Sequence, residues 1–414
     1  MKYLWAGLVL AACRLLAGTQ DSEFNVNTRY TVETVLVAGD GWTTNLISDR
    51  DTHISSGLRK ELSALIGQKL NPAALDDLAK RLRKEFRARE VQHHIMRGRM
   101  PEYVQVLFNI QIRPARFDLS VPKFLYASKL GFSGEAEAIT TIGRNSFTAG
   151  VVSDGDELVE RYTGLAASYE NSHMGSDRVR FRFEFDHFND RWNGYTAAAA
   201  GLQLYSSREN FEPMITFAVA GPVTFGFGTS FQRLDQSVPG ARTLASDAFL
   251  TNIRFHHRLE GSVDLHDFDA DYELRAGARS LASDFSYNRH RWEFRYTWTR
   301  GKQVVIDDVM GGLITGRAPL YERFVLGNSG TLRGWNKYEL DPIGGNRVIH
   351  NSVEYRYGAF QMFYDAGAIW DVGEAVVARN SIGAGLREGP FSLAVAFPLK
   401  EGRVDPVIMV GMNY

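Results

Sequence analysis

Cysteine occurs once in the 414 residues, at Cys13. It sits in an apolar N-terminal stretch. Once that stretch is removed the chain has no thiol, which excludes disulfides and thiolate metal sites. Neither sign of charge prevails: 47 Lys and Arg stand against 48 Asp and Glu, a formal net charge of -1. No global basic field is left to attract nucleic acid. Beyond the N-terminus no run approaches the ~20 apolar residues of a membrane helix. The chain is therefore soluble, or it crosses a membrane as strands, which hydropathy windows miss. There is no H-E-x-x-H, G-x-S-x-G or phosphate-loop pattern, and no nucleophile stands beside a base. Nothing in the sequence asks for a metal or a cofactor, and no enzyme is indicated.

What is present begins with an export signal. Met1-Lys2 gives one positive charge, Tyr3 to Cys13 is almost wholly apolar, and Leu15-Leu16-Ala17 adds a second apolar patch. Residues 1–20 read as a signal peptide cleaved near Ala17 to Gln20. Leu10-Ala11-Ala12-Cys13 resembles a lipoprotein box, but the apolar stretch before it is short and Arg14 follows it.

Residues 29–114 read as a small α+β domain of order β-α-α-β-β. Arg29 to Val37 alternates as a strand and stops at Gly39-Asp40-Gly41. Leu58, Leu62, Leu65 and Ile66 have helical spacing, with Gly67 as a stop. Asn71-Pro72 opens a second helix with an N-cap and Pro at the first position. Its buried stripe is Leu75, Leu78, Leu82 and Phe86. Val91 to Arg97 and Tyr103 to Ile112 read as two closing strands.

From about residue 125 to 414 strands dominate. In Arg178 to Asp186 every odd position is apolar and every even one charged. Trp292, Phe294, Tyr296 and Trp298 alternate with polar residues, and so do Phe268, Ala270, Tyr272, Leu274 and Ala276. Such strands fit a soluble sandwich, whose apolar face is the core. They also fit an outer-membrane barrel, whose apolar face meets lipid and whose charged face lines the lumen. Three features favour the barrel. The apolar faces are rich in aromatics. Tight turns at Gly221, Gly261, Gly301, Gly358 and Gly389 alternate with long connections around 236–246, 281–289 and 313–346. The chain also ends on a strand, with Ile408, Val410, Met412 and the terminal Tyr414 sharing a face. The best strand count is sixteen, an even number that lets the sheet close and leaves no edge in lipid.

The long connection carries Tyr321-Glu322-Arg323-Phe324-x-Leu326-Gly327 and then Leu332-Arg333-Gly334-Trp335. Gly344-Gly345-Asn346, Val353-Glu354-Tyr355-Arg356 and Phe363-x-Asp365-x-Gly367 follow it. These segments resemble the sixth-loop motif and following strands of the BamA-type superfamily. That superfamily comprises barrel-assembly factors, two-partner secretion translocases and bacterial surface antigens. With the N-terminal unit resembling one POTRA domain, the resemblance covers nearly the whole mature chain. It implies a sixteen-stranded outer-membrane β-barrel preceded by a periplasmic POTRA-like domain. It further implies assembly, insertion or translocation of proteins through POTRA strand addition and a barrel seam. Expected partners are outer-membrane lipids, unfolded or extended client polypeptides and periplasmic accessory proteins. The alternative is a passive pore or a dedicated two-partner secretion channel.

The resemblance also implies a latch. Leu332, Arg333, Gly334 and Trp335 form the loop tip, and Arg333 meets Asp365 on the inner wall. By parity Phe363, Asp365 and Gly367 face inward, and so does Glu354 beside Arg356. Arg suits this place because its planar fork binds a carboxylate bidentately and stays charged. In a hydrated lumen such a pair is worth only ~0–1 kcal/mol, so its value is positional. Ile408, Val410, Met412 and Tyr414 mark the seam strand and the C-terminal signal. The sequence departs from the best-known members in having one POTRA-like unit where several are usual, and Trp335 in place of Phe or Tyr.

Overall fold

The computed structural model describes residues 29–412 apart from 40–41, 49–53, 87, 112–114, 177, 202–203 and 403. The expected signal peptide, Cys13 and Tyr414 lie outside the described residues. The described chain forms two compact units that divide near residue 115.

In the first unit β1 (Thr31–Gly39), β2 (Trp42–Asn45), β3 (Glu90–Arg97) and β4 (Tyr103–Gln111) form a sheet of order β2-β1-β4-β3. β1 and β4 run parallel and the other pairs antiparallel. Between β2 and β3 lie helices Ser56–Ser63 and Pro72–Glu85. The first starts where Ser55 accepts a hydrogen bond from Leu58 N, and Glu85 of the second helix accepts from Ser55 N at 2.8 Å. The second starts at Asn71, whose side chain accepts from Ala73 N, with Pro72 as its first residue. Leu58, Leu62, Leu75, Leu78 and Leu82 turn inward onto Val35, Val37, Val106 and Phe108. Each fully buried Leu contributes about 1.5–3 kcal/mol, so this stripe, rather than helix propensity, holds the helices in place. The expected order is found with one addition, the four-residue β2, which is too short to announce itself by alternation.

The second unit is a closed antiparallel barrel of sixteen long strands. They are β5 (Arg116–Ala127), β6 (Gly131–Ile142), β7 (Asn145–Asp154), β8 (Arg161–Asn171), β9 (Val179–Arg191), β10 (Tyr205–Ala220) and β11 (Val223–Gln236). After a two-residue β12 (Leu244–Ala245) come β13 (Ala248–Glu260), β14 (Leu265–Gly277), β15 (Ser286–Arg300) and β16 (Gln303–Arg317). The last five are β17 (Arg347–Tyr357), β18 (Phe360–Trp370), β19 (Arg379–Glu388), β20 (Phe391–Pro398) and β21 (Val407–Met412). The alanine-rich run between β9 and β10 is a short helix, Gly194–Ala200. Trp292 and Phe294 are exposed on the outside, whereas Arg295 faces inward and holds Asp308 at 2.6 Å. Two-residue turns close one end, with Gly301, Gly358 and Gly389 at φ 58°, 59° and 58°, a conformation that disfavours any side chain.

The barrel starts at Arg116, not at residue 125 as the alternation suggests. Pro122 interrupts the pattern because it has no N–H to give a ladder. The strand passes it with a shift of register between Ser120 and Lys123. Ala368, which parity assigns to lipid, is buried. It lines a cavity of about 240 Å³ with Leu326, Leu332 and Val377.

Candidate functional site

The connection from β16 to β17, residues 318–346, is held by packing inside the barrel rather than by secondary structure. Tyr321, Phe324, Leu326, Leu332 and Trp335 are buried in one apolar cluster with wall residues such as Tyr287, Ile314 and Val348. Glu322 accepts from Tyr287 Oη at 3.0 Å, and Tyr321 Oη donates to Ser246 Oγ at 2.8 Å. The guanidinium of Arg208 covers the Tyr321 ring at 4.9 Å.

The tip is a turn built on Asn328, whose Oδ1 accepts from Gly330 N at 3.0 Å and Thr331 N at 2.7 Å. Leu332 follows at φ 47°, in the left-handed region that a Leu seldom occupies. Its N–H donates to His350 Nε2 at 3.1 Å, and its side chain is fully buried. Burial of the side chain offsets the backbone strain. The strained step turns Arg333 toward the wall.

Arg333 uses four of its five guanidinium N–H donors. Nε donates to Asp365 Oδ2 at 3.0 Å and Nη2 to Asp365 Oδ1 at 2.8 Å. Nη1 reaches Glu354 at 3.0 Å and Nη2 also reaches Ser352 Oγ at 2.8 Å. The backbone N–H of Arg333 adds a bond to Asp365 at 2.9 Å. Beneath the guanidinium lies the Phe363 ring, 3.5 Å from its carbon to the centroid. That ring needs the missing side chain of Gly383, because a Cβ there would lie 2.1 Å from it. Gly334, at φ 99°, runs against the backbone of Ala396 to Pro398, and Trp335 Nε1 donates to Asn380 O at 2.8 Å. Gly367 leaves room for Leu326, whose Cδ1 a Cβ would meet at 3.1 Å.

Burial works against the Arg333 charge, but the Asp365 hydrogen bonds and the Asp365 and Glu354 charges outweigh it and hold the group above its ordinary value. The pair is largely shielded from solvent, where the sequence reading expects a hydrated lumen. Asp365 is 0% exposed and the Arg333 side chain 14%. The Phe363 ring under the guanidinium and the burial of Asp365 leave solvent little access to screen the charges. Removing one partner of a dry pair costs ~3–5 kcal/mol.

A second set of contacts lies on the opposite flank of the loop. Asp156, in the 155–160 segment between β7 and β8, accepts from Ser329 N at 2.9 Å and also from Ser329 Oγ. Lys337 Nζ donates to the carbonyls of Gly155 at 2.7 Å, Asp156 at 3.3 Å and Leu158. Burial pushes Lys337 down to about 8 against the pull of Asp156 and Glu160. Sequence reading missed Asp156, Ser329, Lys337, His350 and Ser352. Asp154-Gly155-Asp156-Glu157 looks like an ordinary surface turn.

The predicted seam residues lie apart from this cluster. Ile408 and Val410 are exposed on the outside of β21. Among the described residues, four register pairs join β21 to β5: Met409 with Ala127, Val410 with Tyr126, Gly411 with Leu125 and Met412 with Phe124. By contrast, thirteen pairs join β14 to β15. The described pairs end at Phe124 and Met412.

A sixteen-stranded barrel carrying this infolded loop can be compared with known proteins. Residues 140–407 match the model of the Omp85 superfamily domain. The chain belongs to the Omp85 superfamily. It is an outer-membrane barrel with its POTRA-like domain in the periplasm, from a transport and assembly family rather than an enzyme family. No curated protein matches this Omp85 chain by sequence. Among solved structures, BamA from Haemophilus ducreyi lacking POTRA domains 1-3 aligns at 16% identity with a TM-score of 0.68, covering 93% of this chain and 84% of that one. CdiB from Acinetobacter baumannii aligns at 14% identity with a TM-score of 0.54, covering 93% and 74%. At these identities the likeness shows the fold that Omp85 barrels share.

Proposed function

We propose that this Omp85 barrel inserts or translocates polypeptides at the outer membrane, with the β5–β21 seam as the working element. The four-pair seam carries the reading. Unpaired N–H and C=O groups at a strand edge accept another extended chain, and in lipid they have no water to satisfy them. β5 from Arg116 to Ser120 lies beyond the described seam pairs and carries the exposed apolar side chains Phe117 and Leu119. In the small domain β3 is an edge strand and can take an extended client by strand addition before the barrel does. Outer-membrane lipids and extended client polypeptides are then the partners, with periplasmic accessory proteins as helpers.

Arg333, Asp365 and Glu354 serve as the latch that keeps the loop in one place, and Ile408, Val410 and Met412 as the strand that clients displace or mimic. The packed loop speaks against a passive pore, since its apolar cluster occupies the barrel interior. Depletion of the protein followed by a census of outer-membrane barrel proteins tests the proposal. A fall in several barrels supports assembly. An unchanged census with one exported protein lost from the surface turns the assignment to dedicated secretion.

A further inference from the structure

The loop 318–346 is fastened on both sides of the seam. On the C-terminal side Arg333 holds β17 and β18 through Glu354 and Asp365, Trp335 bonds to β19, and Gly334 lies on β20. On the N-terminal side Ser329 and Lys337 hold the 155–160 segment. That segment belongs to the first strands. Lys123 of β5 reaches Asp154 at 2.6 Å and Glu157 at 2.9 Å. Gly155 N donates to Ser133 Oγ of β6 at 3.0 Å, and Arg161 donates to the carbonyls of Phe132 and Leu130 at 2.8 Å each. In barrel order β21 lies between these two groups of strands. The loop therefore crosses the seam on the lumen side, in parallel with four backbone pairs.

We propose that the loop is a strap across the seam and that Asp156 is the positioning residue of its N-terminal end, so that seam opening and release of Ser329 from Asp156 are one coupled event. This rests on the reading that the seam opens. Parting β5 from β21 separates two groups of strands that the loop ties together, so one fastening has to let go. The Arg333 end is a bidentate, charge-paired fork stacked on Phe363. At the other end no bond from the loop pairs two full charges: the Asp156 carboxylate, in a residue 2% exposed, receives the neutral Ser329 N–H and Oγ–H, and the Lys337 ammonium meets neutral carbonyls. Bidentate pairing of full charges is the stronger kind, so release occurs at the Asp156 end. The coupling is reciprocal: whatever secures Ser329 on Asp156 also closes the seam.

Amide hydrogen exchange on the full-length protein, folded in detergent, reads the seam without any client. In Asp156→Ala the amides of Phe124 to Ala127 and Val407 to Met412 are expected to exchange about tenfold faster, while those of β14 and β15 stay unchanged. Asp156→Cys combined with Ser329→Cys, once oxidised, is expected to slow the seam amides below wild type, and reduction is expected to restore them. Faster exchange in the loop of Asp156→Ala with no change at the seam overturns the strap. So does an oxidised pair that leaves seam exchange as it was. Because this readout involves no substrate, it can fail while client insertion is intact, and the reverse also holds.

Discussion

Asp365 receives Arg333 three times, twice from the guanidinium and once from the arginine's own backbone N–H. The backbone bond fixes where the loop lies, and the two side-chain bonds fix which way it turns. A lysine reproduces the charge but not the fork. Arg333→Ala is expected to destabilise the barrel by about 3–5 kcal/mol, because it takes the cationic partner from the buried Asp365, while Glu354 keeps Arg356. Arg333→Lys is expected to recover only part of that loss. Urea unfolding followed by the gel shift between folded and unfolded barrel measures both.

Gly383 makes a separate prediction. Its Cβ would strike the Phe363 ring that supports Arg333. Gly383→Ala is expected to cost about 1–3 kcal/mol through overpacking. Adding Phe363→Leu to that variant is expected to return part of it, since the smaller side chain leaves space. Equal effects in the single and double variants would mean that the ring is not positioned by this glycine.

The buried Lys337 makes folding stability depend on pH. Its folded value of about 8 lies below the ordinary 10.5, so between those values the unfolded chain holds the extra proton. Stability is expected to rise with pH across that window, by as much as ~3 kcal/mol. Below pH 8 both states are charged and this group adds no slope. Lys337→Met is expected to remove the rise. Denaturant midpoints of the two proteins at pH 7 and pH 10 provide the comparison, and parallel shifts would rule the group out.

Conductance distinguishes a plugged barrel from an open one. In planar bilayers the intact protein is expected to show little steady current. Deletion of residues 328–335, which removes the tip, Arg333 and Trp335, is expected to give a large stable conductance. A large steady conductance from the intact protein would favour the passive pore.

Much of the fold was legible because barrel strands carry a period of two that tight turns interrupt. Alternation puts the last five strands at roughly 347–357, 360–370, 379–388, 390–399 and 405–414, and they stand almost there; parity turns Asp365 and Glu354 inward, where they meet Arg333. Parity says which side a residue faces, but not whether that side is wet. The burial of Asp365 comes from Arg333 on a loop that is remote in sequence and shows no periodicity. The Ser329–Asp156 contact joins residues 173 positions apart, so no local pattern announces it. Pro122 hid the first half of β5 for the opposite reason: a local break in pattern that the strand tolerates with a register shift.

The most direct measurement uses a cysteine pair across the seam, Tyr126→Cys with Val410→Cys, at register partners on β5 and β21. The variant is reconstituted into liposomes and offered an unfolded barrel client, before and after oxidation. Client insertion is expected to stop when the bond forms and to resume when it is reduced. Insertion at the same rate through a covalently closed seam would contradict the assignment of β5 and β21 as the working element.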